Sequence, residues 1–459
     1  MSIFQSSNAD INRIIADCNR SLSYLLNSSK TTNQCSISKA HLKKINDHIK
    51  QYCRSLLRVA AASKQPENKQ RGLARKVIWG SMAAHVCAIL RAAAKREIQL
   101  SSDEIIPAAR NNKRWPVLDE TITVHWERKS SWGYRLIQKD GLLRTAQRLV
   151  LRDMLQVLGI HSEYDYSRAS RGEKKLFTHI CKLIEEEKYH SWWTADVKSC
   201  FASLRPKHFD WLPLTGHEVR NFVFNPASAT VKVLLPKDLD EVIQWMKEQY
   251  PACTVDTIDD MVSVTTQMVR WGGLPEGAVH SPLLACGFVG RELRACLGEK
   301  EGISGVSFMD DLAIGARLEM DTQAAAMELR QRMLSHPAGP LKLHAGPVQS
   351  VWSMKVCVLG YFLEPENGLN GTTHVKPGPK RLRRFKDRLK QRLELAGPQD
   401  DLLVIGEQYL KPWYASQQAW TKSPDTENLS WSAMASYVRD FEYGIEMGKN
   451  HPSYYELVK

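Results

Sequence analysis

The chain has 459 residues, 43% of them hydrophobic and 25% charged, which is ample material for a core and excludes a disordered or fibrous chain. Lys and Arg number 63 against 50 Asp and Glu, a net charge of +13 that suits a polyanionic partner, nucleic acid first. The 10 cysteines contain no CxxC pair and no Cys/His cluster, which excludes zinc-finger spacing and a disulfide scaffold and points to reduced thiols.

In chain order, residues 1–112 read as a helical N-terminal region. Apolar positions recur at helical spacing in INRIIADCNRSLSYLL and in ARKVIWGSMAAHVCAILRAAAKREI, with a polar break at Lys64–Arg71 that contains Pro66. The opening MSIFQSSNADINRII lacks the charged-then-apolar order of a secretory signal, and no apolar run is long enough for a membrane helix. The expectation is a soluble, cytoplasmic protein with no membrane partner, whose N-terminal helices dock RNA, a second protein or another copy of the chain. Residues 113–375 change texture. The run VLDETITVHWE reads as a strand and GLLRTAQRLVLRDMLQVLG as a helix. Short strands (WWTADVKSCF, TVKVLLP, GVSFMDDLAIGA, SMKVCVLGYFLE) then mix with helices such as DLDEVIQWMKEQY, an α+β pattern rather than a βαβ repeat. Residues 376–459 begin a strongly basic helix, RLRRFKDRLKQRLELA, followed by a Trp- and Tyr-rich helical tail.

Adjacent aspartates occur at Asp259–Asp260, Asp310–Asp311 and Asp400–Asp401. The first and last have polar or turn-forming neighbours and read as a helix start or loop and a solvated turn. Asp310–Asp311 is enclosed by apolar residues, which predicts a β-hairpin presenting two carboxylates at its tip. Placing like charges beside an apolar sheet is unfavourable unless a cation neutralises them. Asp196 ends another apolar strand and supplies a third carboxylate. Two-metal phosphoryl transfer requires carboxylates that converge on a pair of hard cations.

These residues belong to a set of motifs in which the chain resembles reverse transcriptases. Asp196 with Phe201 resembles motif A, GGLPEGAVHSPLLA motif B, FMDD at 308–311 motif C, and LGY at 359–361 the primer grip. Upstream, Lys129, Gly133, Arg135, Arg144 and Gln147 resemble the fingers pattern. The likeness covers residues 120–420 and is similar to bacterial enzymes of the unknown-group or defence-associated kind, related to retron and group II intron reverse transcriptases. It implies a right-hand fold of fingers, palm and thumb preceded by the helical N-terminal region, with no RNase H, maturase or endonuclease part. The implied activity is RNA-directed DNA synthesis with two Mg²⁺ ions, Mn²⁺ being an alternative. RNA template, DNA or RNA primer and dNTPs are the implied partners, together with a dedicated non-coding RNA used in antiphage defence.

Carried over residue by residue, the resemblance makes Asp196, Asp310 and Asp311 catalytic, with Val197 added to them as a metal-binding position. Lys129, Arg135, Phe201, Glu276, Gly277 and Ser281 would bind the nucleotide, Phe201 excluding the 2′-hydroxyl. Leu359, Gly360 and Tyr361 would grip the primer. Lys380, Arg381, Arg383, Arg384 and Arg388 would track the nucleic-acid backbone from a helix whose apolar stripe is Leu382, Phe385, Leu389 and Leu393. Trp413, Tyr414, Trp420 and Trp431 have two readings, stacking on bases and packing this region, of which packing is the expected one. The chain departs from the family in three places: Glu276 replaces the usual Gln, Phe308 replaces Tyr, and motif D lacks its Lys, for which Lys342 and His344 are the candidates. The alternatives are a nucleic-acid scaffold with an idle palm and a template-independent or RNA-synthesising polymerase.

Overall fold

The computed structural model describes residues 39–112 and 121–439, apart from 65, 130–132, 168–170, 206–207, 216–218, 220–229, 299, 354–355, 366–371, 398, 418 and 421–429. The first expected helix, INRIIADCNRSLSYLL, lies outside the described residues.

In chain order the elements are helix α1 (Lys39–Ala62), α2 (Glu67–Ala74), a π-helical turn (Arg75–Trp79), α3 (Met82–Ala94) and α4 (Ser102–Asn112). Then come β1 (Ile122–Arg128), β2 (Tyr134–Lys139), α5 (Leu142–Leu158), α6 (Gly172–Glu185), β3 (Ser191–Val197), α7 (Cys200–Ser203) and β4 (Val231–Leu234). They are followed by α8 (Leu239–Gln249), α9 (Ile258–Trp271), α10 (Ser281–Leu297), β5 (Ile303–Phe308), β6 (Asp311–Ala316) and α11 (Glu319–Ser335). The last are β7 (Leu343–Ala345), β8 (Gln349–Ser350), β9 (Val356–Val358), β10 (Tyr361–Pro365), β11 (Thr373–Pro377), α12 (Pro379–Glu394) and α13 (Leu402–Ser416).

The mixture of helix and sheet is the α+β class read from the sequence. Two local expectations are corrected. The polar break is shorter than Lys64–Arg71, because Pro66 caps a helix that already begins at Glu67, a position where a missing N–H costs nothing. The apolar segment after it is two helical pieces, since the Ser81 hydroxyl accepts from the Ala84 amide at 3.3 Å and starts α3 afresh. Among the described residues no single helix is long and apolar enough to cross a membrane; only the bent pair Glu67–Trp79 and Met82–Ala94 passes by length and composition. Most of α3 is buried within the protein.

Contacts divide the chain into two compact units. One comprises 1–163, 197–292 and 330–343. Here α1, α3 and α5 pack together, and a sheet of order β2-β1-β4 pairs β1 antiparallel with β2 and parallel with β4. The helices are tied by Asp153, a buried carboxylate that accepts from Asn46 at 3.0 Å and pairs with Lys50 at 3.1 Å and Arg91 at 3.3 Å. Burial alone would raise the pKa of Asp153, but Lys50, Arg152, Arg91 and Asn46 together hold it below the usual range.

The other unit comprises 164–196, 293–329 and 344–459. It is centred on a sheet of order β5-β6-β3-β7, with β8 also paired to β3, and a second antiparallel sheet of order β11-β10-β9. Phe177, Trp192, Val306, Ala313, Tyr361 and Leu363 share its main core, which fixes the two sheets around α6. A satellite core joins α12 and α13 through Phe385, Leu389, Leu393 and Leu410.

Candidate active site

The hairpin expected at Asp310–Asp311 forms. Phe308 pairs with Asp311 across β5 and β6, so Met309 and Asp310 are its two-residue turn. Met309 takes a φ of +61°, a left-handed conformation costly for a non-glycine residue, and such outliers cluster at functional sites. On the other side β6 pairs antiparallel with β3, setting Asp311 directly opposite Asp196. Opposed residues on one face of a sheet hold their Cβ atoms about 4.5–5.5 Å apart, where like charges repel. Val197 follows as the buried last residue of β3.

The electrostatics reflect this crowding. Burial, then the neighbouring Asp310 and Asp196, push Asp311 up to about 6, against the opposing pull of Lys380 and Arg381. Burial also raises Asp310, with a contribution from Asp196, partly offset by a backbone hydrogen bond. Among the described residues no three or more His, Cys, Asp or Glu side chains are gathered closely enough to hold a metal ion as they stand. Asp196, Asp310 and Asp311 offer only oxygen donors. That chemistry fits Mg²⁺, which takes one or two carboxylates and completes its shell with water and substrate phosphate.

The LGY segment lies in the same unit. Val358 pairs with Tyr361, and Leu359 and Gly360 form the turn between them at φ of +49° and +75°, both positive as a tight hairpin turn demands. Arg381 at the start of α12 holds that turn. Its Nε and Nη2 donate to the Leu359 carbonyl at 3.1 and 3.0 Å, Nη2 also pairs with Glu173 at 2.9 Å, and its guanidinium lies 4.0 Å from the Tyr361 ring centre. The buried Tyr361 hydroxyl bonds Glu173 and Gln417, each at 3.1 Å.

This arrangement corrects the expected apolar stripe. Phe385, Leu389 and Leu393 are buried as expected, but Leu382 is 40% exposed, and Arg381 takes the inward place four residues before Phe385. Sequence reasoning assigned Arg381 to the nucleic-acid backbone and missed its inward bonds. The row 381, 385, 389, 393, at the four-residue spacing of one helix face, was the available signal. Lys380, Arg383, Arg384 and Arg388 are exposed. Trp413 and Trp431 pack against the satellite core, Trp420 against the main core, and Tyr414 against Trp420 at 5.1 Å.

The other expected site residues lie in the first unit. Lys129 and Gly133 close the β1–β2 hairpin through a 2.9 Å backbone bond. Arg135, exposed on β2, is opposite Glu127 and donates to it through Nε at 2.7 Å. Arg144 and Gln147 are buried on α5 and face the protein interior. Phe201 is half-buried in α7, and its carbonyl accepts from the Leu274 amide at 2.8 Å; a side chain at Gly273 would collide with that carbonyl. Glu276 bridges to Ile137, and its carbonyl accepts from the Gln138 amide at 2.7 Å. Gly277 has a φ of +90°, and a Cβ there would lie 2.6 Å from the Gln138 carbonyl, so glycine is required on both counts. Ser281 opens α10 fully buried, and among the described residues its hydroxyl has no hydrogen-bond partner. The residues resembling motifs A and B therefore meet at Phe201–Leu274, and motif B meets β2 at Gln138–Glu276.

No protein-family model matches the chain, and no curated protein matches it. Among solved structures it is similar to the Sicinivirus 3Dpol RNA dependent RNA polymerase, with a TM-score of 0.38 and 12% identity. That likeness covers 70% of this chain and 62% of the viral one, so less than two thirds of the neighbour's length is spanned.

Proposed function

We propose that the chain is a right-hand nucleic-acid polymerase that extends DNA on an RNA template. The observation that carries this reading is the Asp196–Asp311 pairing beside the Asp310 turn. It sets like charges against one another at a cost in stability, a cost that attracting cations would offset.

Asp196, Asp310 and Asp311, with Val197 beside them, would hold Mg²⁺ or Mn²⁺. Metal bound there would neutralise charge developing on the transferring phosphoryl group. The remaining roles belong to the chain. The Leu359–Tyr361 turn, stiffened by Arg381, supports the primer end. The exposed Lys380, Arg383, Arg384 and Arg388 meet phosphates. Lys129 and Arg135 receive the triphosphate, Arg135 exchanging its Glu127 partner for it. Phe201 excludes a 2′-hydroxyl, while Glu276, Gly277 and Ser281 shape the pocket for the nascent pair. A structured non-coding RNA is the proposed template, and antiphage defence in the bacterial cytoplasm is the role the sequence resemblance implies. Phe201 is the feature that favours DNA over RNA synthesis.

The test offers the full chain primed RNA or primed DNA templates with dNTPs or NTPs and Mg²⁺. Extension with dNTPs on RNA is expected. Extension with NTPs alone would replace the reading by an RNA polymerase, and no extension with any pair would leave a binding scaffold.

A further inference from the structure

The segment 39–76 carries eleven basic residues against Asp47 and Glu67 alone, so it supplies nine units of the chain's net +13. It lies outside every catalytic motif. On α1, Leu42, Asn46, Ile49, Cys53 and Ala60 are buried, and the Asn46 and Lys50 bonds to buried Asp153 fix the helix in place. Lys43, Lys44, Arg54 and Arg58 are exposed. At 3.6 residues per turn these four fall within about 100° of arc, along about 22 Å of helix axis, and the exposed Asp47 shares that arc, so the face is cationic in balance. That length matches about six base-pair steps of a duplex. Lys64 and Lys69, also exposed, continue the charge past the end of α1 and onto α2.

We propose that this face of α1 is a docking surface for the phosphate backbone of a nucleic-acid duplex. The charge and geometry carry the proposal independently of whether the aspartates are catalytic. Surfaces that bind single strands combine charge with exposed aromatic rings for stacking, and the one aromatic residue of α1, Tyr52, is half-buried. A helix that lies in an anionic membrane needs large apolar residues to insert, and among the described residues of α1 only Val59 is a strongly exposed one. An acidic protein would call for an apolar patch inside the charged rim, which this face lacks. A rigid face carrying four cations to one carboxylate, without stacking groups, fits a duplex read by its backbone, as A-form RNA commonly is.

The test uses the full-length protein and fluorescently labelled, blunt-ended 20-base-pair RNA and DNA duplexes, with anisotropy titrations across a range of salt. The triple change Lys43→Glu, Arg54→Glu, Arg58→Glu should weaken duplex binding by about tenfold or more. It should also flatten the slope of log K against log salt by about 2–3, near 0.9 per lost contact. The milder Lys43→Gln, Arg54→Gln, Arg58→Gln change should fall between this and wild type, with thermal unfolding unchanged in both. Arg383→Glu, Arg384→Glu, Arg388→Glu serves as a comparison, because a loss confined to that variant overturns the proposal. An unchanged slope in both folded α1 variants, a loss seen only with single strands, or a loss seen only with vesicles containing phosphatidylserine would also overturn it. Asp310→Ala should bind duplex as wild type does, which separates this result from the fate of the polymerase reading.

Discussion

Asp196 and Asp311 stand directly opposite each other on antiparallel strands, so two carboxylates share one face of the sheet at its end. With Asp310 in the adjoining turn, burial and the neighbouring carboxylates oppose ionisation of Asp310 and Asp311.

The pH dependence of stability should report that opposition. Burial and its two neighbours raise Asp311 from the ordinary carboxylate value near 3.8 to about 6. The folded state therefore binds more protons than the unfolded chain between about pH 4 and 6, and its stability falls as pH rises through that window. Asp311→Asn should leave stability at pH 4 nearly unchanged and raise it at pH 8 by up to about 3 kcal/mol, from 1.36 kcal/mol per pKa unit. Denaturant melts at pH 4, 6 and 8 check this. A difference that is the same at all three values would show that Asp311 is not electrostatically strained.

Arg381 should behave as a structural clamp. Replacing it with Ala removes its bonds to Leu359, Glu173 and Tyr361 and leaves Glu173 without its cation. The expected cost is about 2–4 kcal/mol. Arg381→Lys should recover little of it, because a single ammonium cannot bridge the carbonyl, the carboxylate and the aromatic face together. Hydrogen exchange at 359–361 should accelerate in both variants. Wild-type protection with a wild-type melting temperature would mean that the turn is held by other contacts.

Much of this site was legible in the sequence, and the reasons are local. The apolar runs flanking Asp310–Asp311 encode a hairpin locally, whereas SMKVCVLGYFLE, read as one strand, is two strands folded at Leu359–Gly360. The same locality offered a helix start as one of two readings of Asp259–Asp260, and there Thr257 and Asp260 form a reciprocal cap. What failed depended on partners far along the chain. Arg381 looked like another surface cation because Glu173, its partner, lies 208 residues away. The bond from Arg135 to Glu127 went unread because it exists only once the hairpin has set its register. The restart of the helix at Ser81 was missed because apolar periodicity continues across a cap that only the hydroxyl geometry reveals.

Sugar selectivity is expected to depend on Phe201. Phe201→Val should raise ribonucleotide incorporation relative to deoxyribonucleotide incorporation by about tenfold in kcat/KM, a change of about 1.4 kcal/mol. Steady-state extension with each nucleotide, alongside a thermal melt, tests this. A stable Phe201→Val protein with unchanged discrimination would make Phe201 a packing residue only.

The most direct measurement is single-turnover primer extension on an RNA template by wild type, Asp310→Ala and Asp196→Asn, with template–primer affinity recorded for each. The account predicts template-directed DNA products from wild type, a loss of at least about a thousandfold in rate for both variants, and affinity within about threefold of wild type, since transition-state charge stabilisation at a two-metal site is large while backbone binding lies elsewhere. Extension by either variant at the wild-type rate would contradict it.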